Sequence, residues 1–269
     1  METIGLVAGN RNFPLLFVQE AARRGVQVAA VCIRGETDRR VSAIAGKEHS
    51  LWISLAQFER AYSFFKEQGV HRVVMCGQIS PYRLFSREVR ESPLIQELLS
   101  SAGDKRAKSI FDEIAKRVEA QGFEVLSSTT YLEDYVPRQG TLTRRQPDAE
   151  ERADIQFAMS MAKEIARLDI GLSVAVKSKA VIAVEAFEGT DRLIRRAGAL
   201  AGKGFVVAKV ARPGQDMRFD IPVIGLRTIQ VLARSGASCL AVEAGKTLFL
   251  DRDAAIALAD RKKISLVAV

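Results

Sequence analysis

The sequence predicts an α/β fold in two parts, and three observations predict it. Short apolar, β-type runs alternate with helix-period segments through the first half, the βα rhythm of a parallel sheet. A polar, turn-rich stretch then breaks the rhythm between Pro137 and Pro147. Beyond it the alternation resumes. The reading is a Rossmann-like N-terminal domain over residues 1–138 and a second, C-terminal α/β domain over residues 146–269, with a ligand cleft between them.

Taken in order, Thr3–Ala8 is an apolar run closed by Gly9 and reads as the first strand. A helix over 13–24, a strand over 26–33, a helix over 56–68 and a strand over 72–76 continue the pattern. A helix over about 105–121 leads into a strand over 124–127. After the break, residues 148–167 read as one helix. Apolar β-type runs follow at 172–176, 181–185, 205–210, 239–243, 247–250 and 265–269. Helical patterns at 191–200, 226–234 and 253–262 separate them, with Asp251 expected to cap the last.

Composition narrows the function. With 269 residues, 48% of them hydrophobic, the chain can fill real cores. It shows neither a signal-peptide pattern nor a run approaching the roughly 20 apolar residues that span a bilayer. Cys32, Cys76 and Cys239 lie in apolar runs without CxxC spacing, so they read as buried small hydrophobes in a reducing compartment, the cytosol. Only His49 and His71 occur, which excludes a site built on several histidines and favours Mg²⁺ on carboxylates over zinc. The net charge of +8 favours phosphate-bearing partners or an anionic membrane surface. The basic residues are dispersed and not interleaved with aromatics, which argues against nucleic acid.

The densest chemistry lies in Arg212-Pro213-Gly214-Gln215-Asp216-Met217-Arg218-Phe219-Asp220-Ile221-Pro222-Val223-Ile224-Gly225. Asp216 and Asp220 supply hard oxygens suited to Mg²⁺, and Arg212 and Arg218 can grip an anion in fork geometry. A straight strand would hold the two Asp Cα atoms about 13 Å apart, so a shared ion requires the segment to bend. A loop stapled by its own Asp–Arg pairs is the competing reading. A second cluster, Glu185-Ala186-Phe187-Glu188-Gly189-Thr190-Asp191, delivers three carboxylates around a glycine turn. Its competitor is simple capping of the next helix by Thr190 and Asp191. The turn Gly9-Asn10-Arg11-Asn12-Phe13-Pro14 and the segment Cys76-Gly77-Gln78-Ile79-Ser80 both follow strands, where α/β proteins bind ligands. The first is not GxGxxG, so a dinucleotide is poorly supported. Gly245-Lys246-Thr247 lacks the upstream glycine of a P-loop, and no GxSxG elbow occurs.

Together, residues 184–191, Arg195-Arg196-Ala197-Gly198, Lys209, residues 213–225 and Val242-Glu243-Ala244-Gly245-Lys246-Thr247 resemble the LpxI-type UDP-2,3-diacylglucosamine pyrophosphatases in order and spacing. The resemblance covers the second half and, more loosely, the first. It implies Mg²⁺-dependent hydrolysis of UDP-2,3-diacylglucosamine to UMP and the acylated sugar 1-phosphate, a cytosolic step of lipid A synthesis at the inner-membrane surface. The implied site has Asp216 and Asp220 on the metal, and Glu185, Glu188 or Asp191 orienting water. Lys209, Arg212 and Arg218 would neutralise charge, and Gly9, Asn10, Phe13, Gly77, Gln78, Arg212 and Gln215 would contact substrate. The first turn, Leu172 and residues 78–81 depart from the family's pattern. A non-catalytic nucleotide-lipid binder and a pyrophosphatase for another UDP-sugar therefore stay open, and a homodimer is compatible with the sequence.

Overall fold

The computed structural model describes residues 2–80, 83, 86–101, 107–218 and 221–269. The chain divides into two compact units, separated between Glu133 and Asp134, with Asp216, Met217 and Arg218 returning to the first.

The first unit holds a five-stranded, all-parallel sheet in the order β3-β2-β1-β4-β5. Its strands are β1 (Thr3–Ala8), β2 (Gln27–Ile33), β3 (Ser50–Ile53), β4 (Arg72–Cys76) and β5 (Glu124–Val125). β1 is central and covered on both faces: Ile4, Leu6 and Ala8 are fully buried on one, and Gly5 is buried and Val7 half-buried on the other. The order reverses between β1 and β4, which places a topological switch point at their carboxyl ends. Around the sheet run α1 (Phe13–Arg23), α2 (Arg39–Ala45), α3 (Arg60–Glu67), α4 (Arg87–Glu91), α5 (Pro93–Ser101) and α6 (Ala107–Ala120). Phe65 of α3 and Ala115 and Val118 of α6 close one core over Val31, Val73 and Met75.

The helix expected over 56–68 is instead a 3-10 turn at Leu55–Gln57 followed by α3. The turn is set by a capping box between Ser54 and Gln57. Gly103-Asp104 lies outside the described residues.

The second unit carries a six-stranded mixed sheet, β6-β13-β11-β9-β7-β8, and a two-stranded parallel pair, β10 with β12. The strands are β6 (Gly140–Thr141), β7 (Ser173–Lys177), β8 (Ala180–Val184), β9 (Phe205–Lys209), β10 (Val223–Ile224), β11 (Ala237–Val242), β12 (Leu248–Phe249) and β13 (Ser265–Ala268). One face is covered by α7 (Ala149–Arg167), whose Ala158, Ala162 and Ala166 recur every fourth residue and seat it on Val174, Val176, Ala208 and Val210. Its start is fixed by a capping box in which Asp148 accepts from Glu151 N at 2.8 Å and Glu151 accepts from Asp148 N at 3.0 Å. The other face is covered by α8 (Thr190–Ala201), α9 (Leu226–Ser235) and α10 (Arg252–Arg261), through Leu193, Ile229, Leu232 and Ala255.

The polar stretch 137–147 is part of this unit. β6 pairs antiparallel with β13, Thr143 Oγ1 accepts from Leu266 N at 3.0 Å, and Arg145 grips both Glu151 oxygens at 2.9 Å. Asp251 precedes α10 as expected but does not cap it. Its φ of 49° is left-handed and its side chain makes no cap hydrogen bond.

All three cysteines are buried and free, and burial pushes their thiols up, that of Cys32 to about 12.

Candidate active site

Topology decides which residues meet. In the first unit the loops after β1 and β4 are zipped together at the switch point: Gly9 N donates to Cys76 O at 2.8 Å, and Asn10 N to Gln78 O at 2.7 Å. A Cβ on Gly9 would stand 2.5 Å from Gln78 O, and one on Gly77 (φ 88°) 2.6 Å from Asn10 O. These two glycines therefore serve backbone contact between loops. Phe13 is 4% exposed and belongs to the core.

Beneath the loops lies Glu36, its side chain 3% exposed, which the sequence did not single out. It accepts from Asn10 Nδ2 at 2.6 Å, Ser80 N at 3.2 Å, Ser80 Oγ at 3.1 Å and Arg83 Nε at 3.0 Å. One buried carboxylate thus binds the loops after β1, β2 and β4 together. The four donors replace the water it would otherwise need.

Asp216, Met217 and Arg218 belong to this unit as well. Met217 O accepts from Ser128 N and Ser128 Oγ, both at 2.9 Å, just beyond β5. The Arg218 guanidinium forks onto Asp216 at 2.7–3.0 Å and reaches Glu119 at 2.7 Å. Asp216 is thus stapled by its neighbouring arginine, the competing reading of this segment. As arranged it is a partner of Arg218. Asp220 lies outside the described residues. Among the described residues, no group of three or more His, Cys, Asp or Glu is placed to hold a metal ion.

In the second unit, β7 runs antiparallel to both β9 and β8, so the start of β7 meets the ends of the other two. Ser173 pairs with Lys209, and Glu185 N donates to Ser173 O at 2.9 Å. Here Lys209 Nζ donates to Thr190 Oγ1 at 2.8 Å, and Thr190 Oγ1 donates to Glu185 Oε1 at 2.8 Å. Lys209 and Glu185, distant in sequence, are 7% and 8% exposed. Burial pushes the Glu185 carboxyl up, but the Lys209 charge and bonds from Ser173, Thr190 and the Leu172 backbone outweigh it and leave Glu185 below its usual range. Gly171 permits this packing, since a Cβ there would stand 2.1 Å from Glu185 O.

The other expected groups of this unit are paired nearby. Asp191 faces Arg227 at 2.9 Å, and Glu188 faces Arg196 at 2.6 Å. Arg212 Nε meets Asp169 at 2.6 Å. Gln215 closes the turn after β9: its N donates to Arg212 O at 3.1 Å and its side chain accepts from Arg212 N at 2.8 Å. Pro213 and Gly214 (φ 66°) occupy the central positions of that turn. Beyond β11, Glu243 receives Lys163, Lys246 at 2.8 Å and Ala211 N at 3.0 Å. Neither Glu243 nor Lys163 was assigned from sequence. A carboxylate one residue past an apolar strand, in the same position as Glu185 past β8, is the signal that would have found the first.

These features define a two-unit α/β protein whose polar groups gather at strand ends, the second unit around a buried lysine. The description "LpxI N-terminal domain" matches residues 3–135 and "LpxI C-terminal domain" matches residues 138–267. The chain belongs to the LpxI family. It is similar to the UDP-2,3-diacylglucosamine pyrophosphatase LpxI of Caulobacter vibrioides, 30% identical over 97% of this chain and 95% of that protein. Among solved structures it aligns with the biotin carboxylase domain of a thermophilic 2-oxoglutarate carboxylase bound to ADP, at 14% identity and a TM-score of 0.28 over 65% of this chain and 35% of that one. It also aligns with the biotin carboxylase domain of the Hydrogenobacter thermophilus enzyme, at 15% identity and a TM-score of 0.28 over 74% and 41%. Likenesses this low carry no argument.

Proposed function

We propose that this chain hydrolyses the diphosphate of UDP-2,3-diacylglucosamine, releasing UMP and 2,3-diacylglucosamine 1-phosphate for lipid A synthesis. The geometric observation that supports this most is the buried Lys209–Thr190–Glu185 chain at the strand ends of the second unit. Water adds to one phosphorus, the bridging P–O bond breaks, and its electron pair leaves on the other phosphate. Negative charge grows on the departing group. The Lys209 ammonium, held by Thr190 beside the Glu185 carboxylate, can meet that charge without reorganising. Arg212, steadied by Asp169 and its own turn, offers a planar fork to a phosphate. Glu188 and Asp191, expected to orient water, are engaged with Arg196 and Arg227, so in this reading they brace α8 and α9.

The first unit is read as Rossmann-like in use as well as in strand order, with Asn10 and Gln78 serving the nucleotide on loops that Gly9 and Gly77 hold together, and Gln215 assisting from the second. The reading requires groups from both units. It also includes a requirement for Mg²⁺, which would polarise phosphoryl oxygens when bound, and transient work at an inner-membrane surface from the cytoplasmic side.

The purified protein with Mg²⁺ and the lipid nucleotide is expected to release UMP and the acylated sugar phosphate in equal amounts, followed by chromatography. EDTA is expected to stop turnover and added Mg²⁺ to restore it. Absence of UMP sinks the proposal, and ligand-dependent thermal stabilisation without product would make the chain a binder. Turnover of UDP-sugars lacking acyl chains would assign it another substrate. Asp220→Ala is expected to cut kcat by orders of magnitude with little change in melting temperature. A large drop in melting temperature with near-normal activity per folded molecule would make Asp220 structural.

A further inference from the structure

The helices α9 and α10 pack side by side on one face of the second sheet and leave a groove of about 630 Å³ between them. Its floor is Leu226, Ala233, Ala254, Ala257 and Leu258, with Ala254 and Ala257 exposed. Alanine is too short to fill the space between helix axes roughly 8–10 Å apart, so the trough follows from the sequence. Its rim is cationic: Arg234, Arg261 and Lys262 are all exposed. Arg252 and Lys263 extend the charge, Arg227 is paired with Asp191 of α8, and the carboxylates of residues 226–235 and 252–263 are Asp253 and Asp260. Asp260 is engaged by Arg144, whose N donates at 2.8 Å and whose Nε lies at 3.7 Å. Favourable charge at helix C-termini accounts for Arg234 and Arg261. It accounts neither for the apolar trough nor for Lys262 and Lys263 beyond the last turn.

We propose that this face docks the protein on the surface of an anionic lipid bilayer, with Arg234, Arg261 and Lys262 meeting headgroup phosphates and the trough taking up apolar lipid. Charge complementarity selects this occupant. A two-fold contact with a second copy would set the same cations against themselves. A nucleic acid would use the charge but leave the trough unfilled. The inference rests on the proposed work at a membrane surface and assigns the face that meets it; vesicle binding is measured without substrate or turnover, so its failure leaves the hydrolytic reading standing.

The test sediments the full-length protein with vesicles of phosphatidylglycerol and phosphatidylcholine, and with phosphatidylcholine alone. Wild type is expected to pellet with the anionic vesicles only and to be released at about 0.5 M salt, where charge attraction is screened. Arg234→Glu/Arg261→Glu/Lys262→Glu is expected to bind at least about tenfold more weakly at an unchanged melting temperature. Should that variant misfold, the Gln triple at the same positions takes its place. The proposal is overturned if wild type ignores anionic vesicles or if the folded triple binds as wild type does. It is also overturned if sedimentation velocity shows a wild-type dimer that the triple dissociates, which would give the face to a second copy.

Discussion

At the scale of single residues, the buried pair of Lys209 and Glu185 carries the sharpest consequence. Removing one charge from such a pair strands the other without water. Lys209→Met is therefore expected to destabilise the fold by about 3 kcal/mol and to cost at least about 100-fold in kcat. Glu185→Gln with Lys209→Met should recover most of that stability, measured by urea unfolding, and none of the activity. Recovery of both would remove Lys209 from the chemistry. The same pair sets a pH dependence. The folded pKa of Glu185 is depressed, so its contribution is complete above the unfolded value of about 4.3 and is lost as pH falls through the folded one. Acid unfolding below about pH 4 should flatten in Glu185→Gln, followed by circular dichroism. Glu185 and Lys209 could be named from sequence as charged groups after apolar runs. Glu36 could not, because nothing local distinguishes it from a solvated loop glutamate; its burial arises from Asn10, Ser80 and Arg83, contributed by other loops.

At the scale of elements, strong local signals fixed most of the helices and strands. α7 shows why: the Asp148 and Glu151 capping box, acidic first turn and alanine stripe all agree. Asp148→Ala is expected to lower stability by about 1 kcal/mol, since it also frees Glu151 N, and thermal melting checks it. An unchanged melting temperature would mean that Arg145, bonded to Glu151, sets the helix start by itself. The sequence did not disclose α2, α4, α5, β3, β6 and β10. α2 spans seven residues and β3 four, too few for a period to emerge, and β6 and β10 are two-residue pairings that exist because β13 and β12 run beside them. Asp251 failed as a cap for a related reason. The chain passes from β12 into α10 with Asp251 in a left-handed conformation, not the extended one a capping residue takes.

At the scale of the whole molecule, the return of Asp216, Met217 and Arg218 to the first unit means that two compact units are not two independent stretches of chain. A fragment of residues 1–138 lacks the partners of Ser128 and Glu119, and one of residues 146–269 carries those partners without their anchors. Each fragment is expected to be inactive alone, with UMP release recovered on mixing. Full activity in the second fragment would show that the first unit contributes nothing to turnover. The sequence by itself determined the α/β class, the order of the principal strands and helices, the family, and the short list of charged residues at strand ends, because each is written in local periodicity, punctuation or spacing. Tertiary structure alone decided the partners: that β7 runs against β8 and β9 and so joins Glu185 to Lys209 through Thr190, that Asp216 faces Arg218, and that Glu36 lies under three loops. Pairing depends on strand direction and on burial shared by residues far apart in the chain, and neither quantity exists until the sheets have formed.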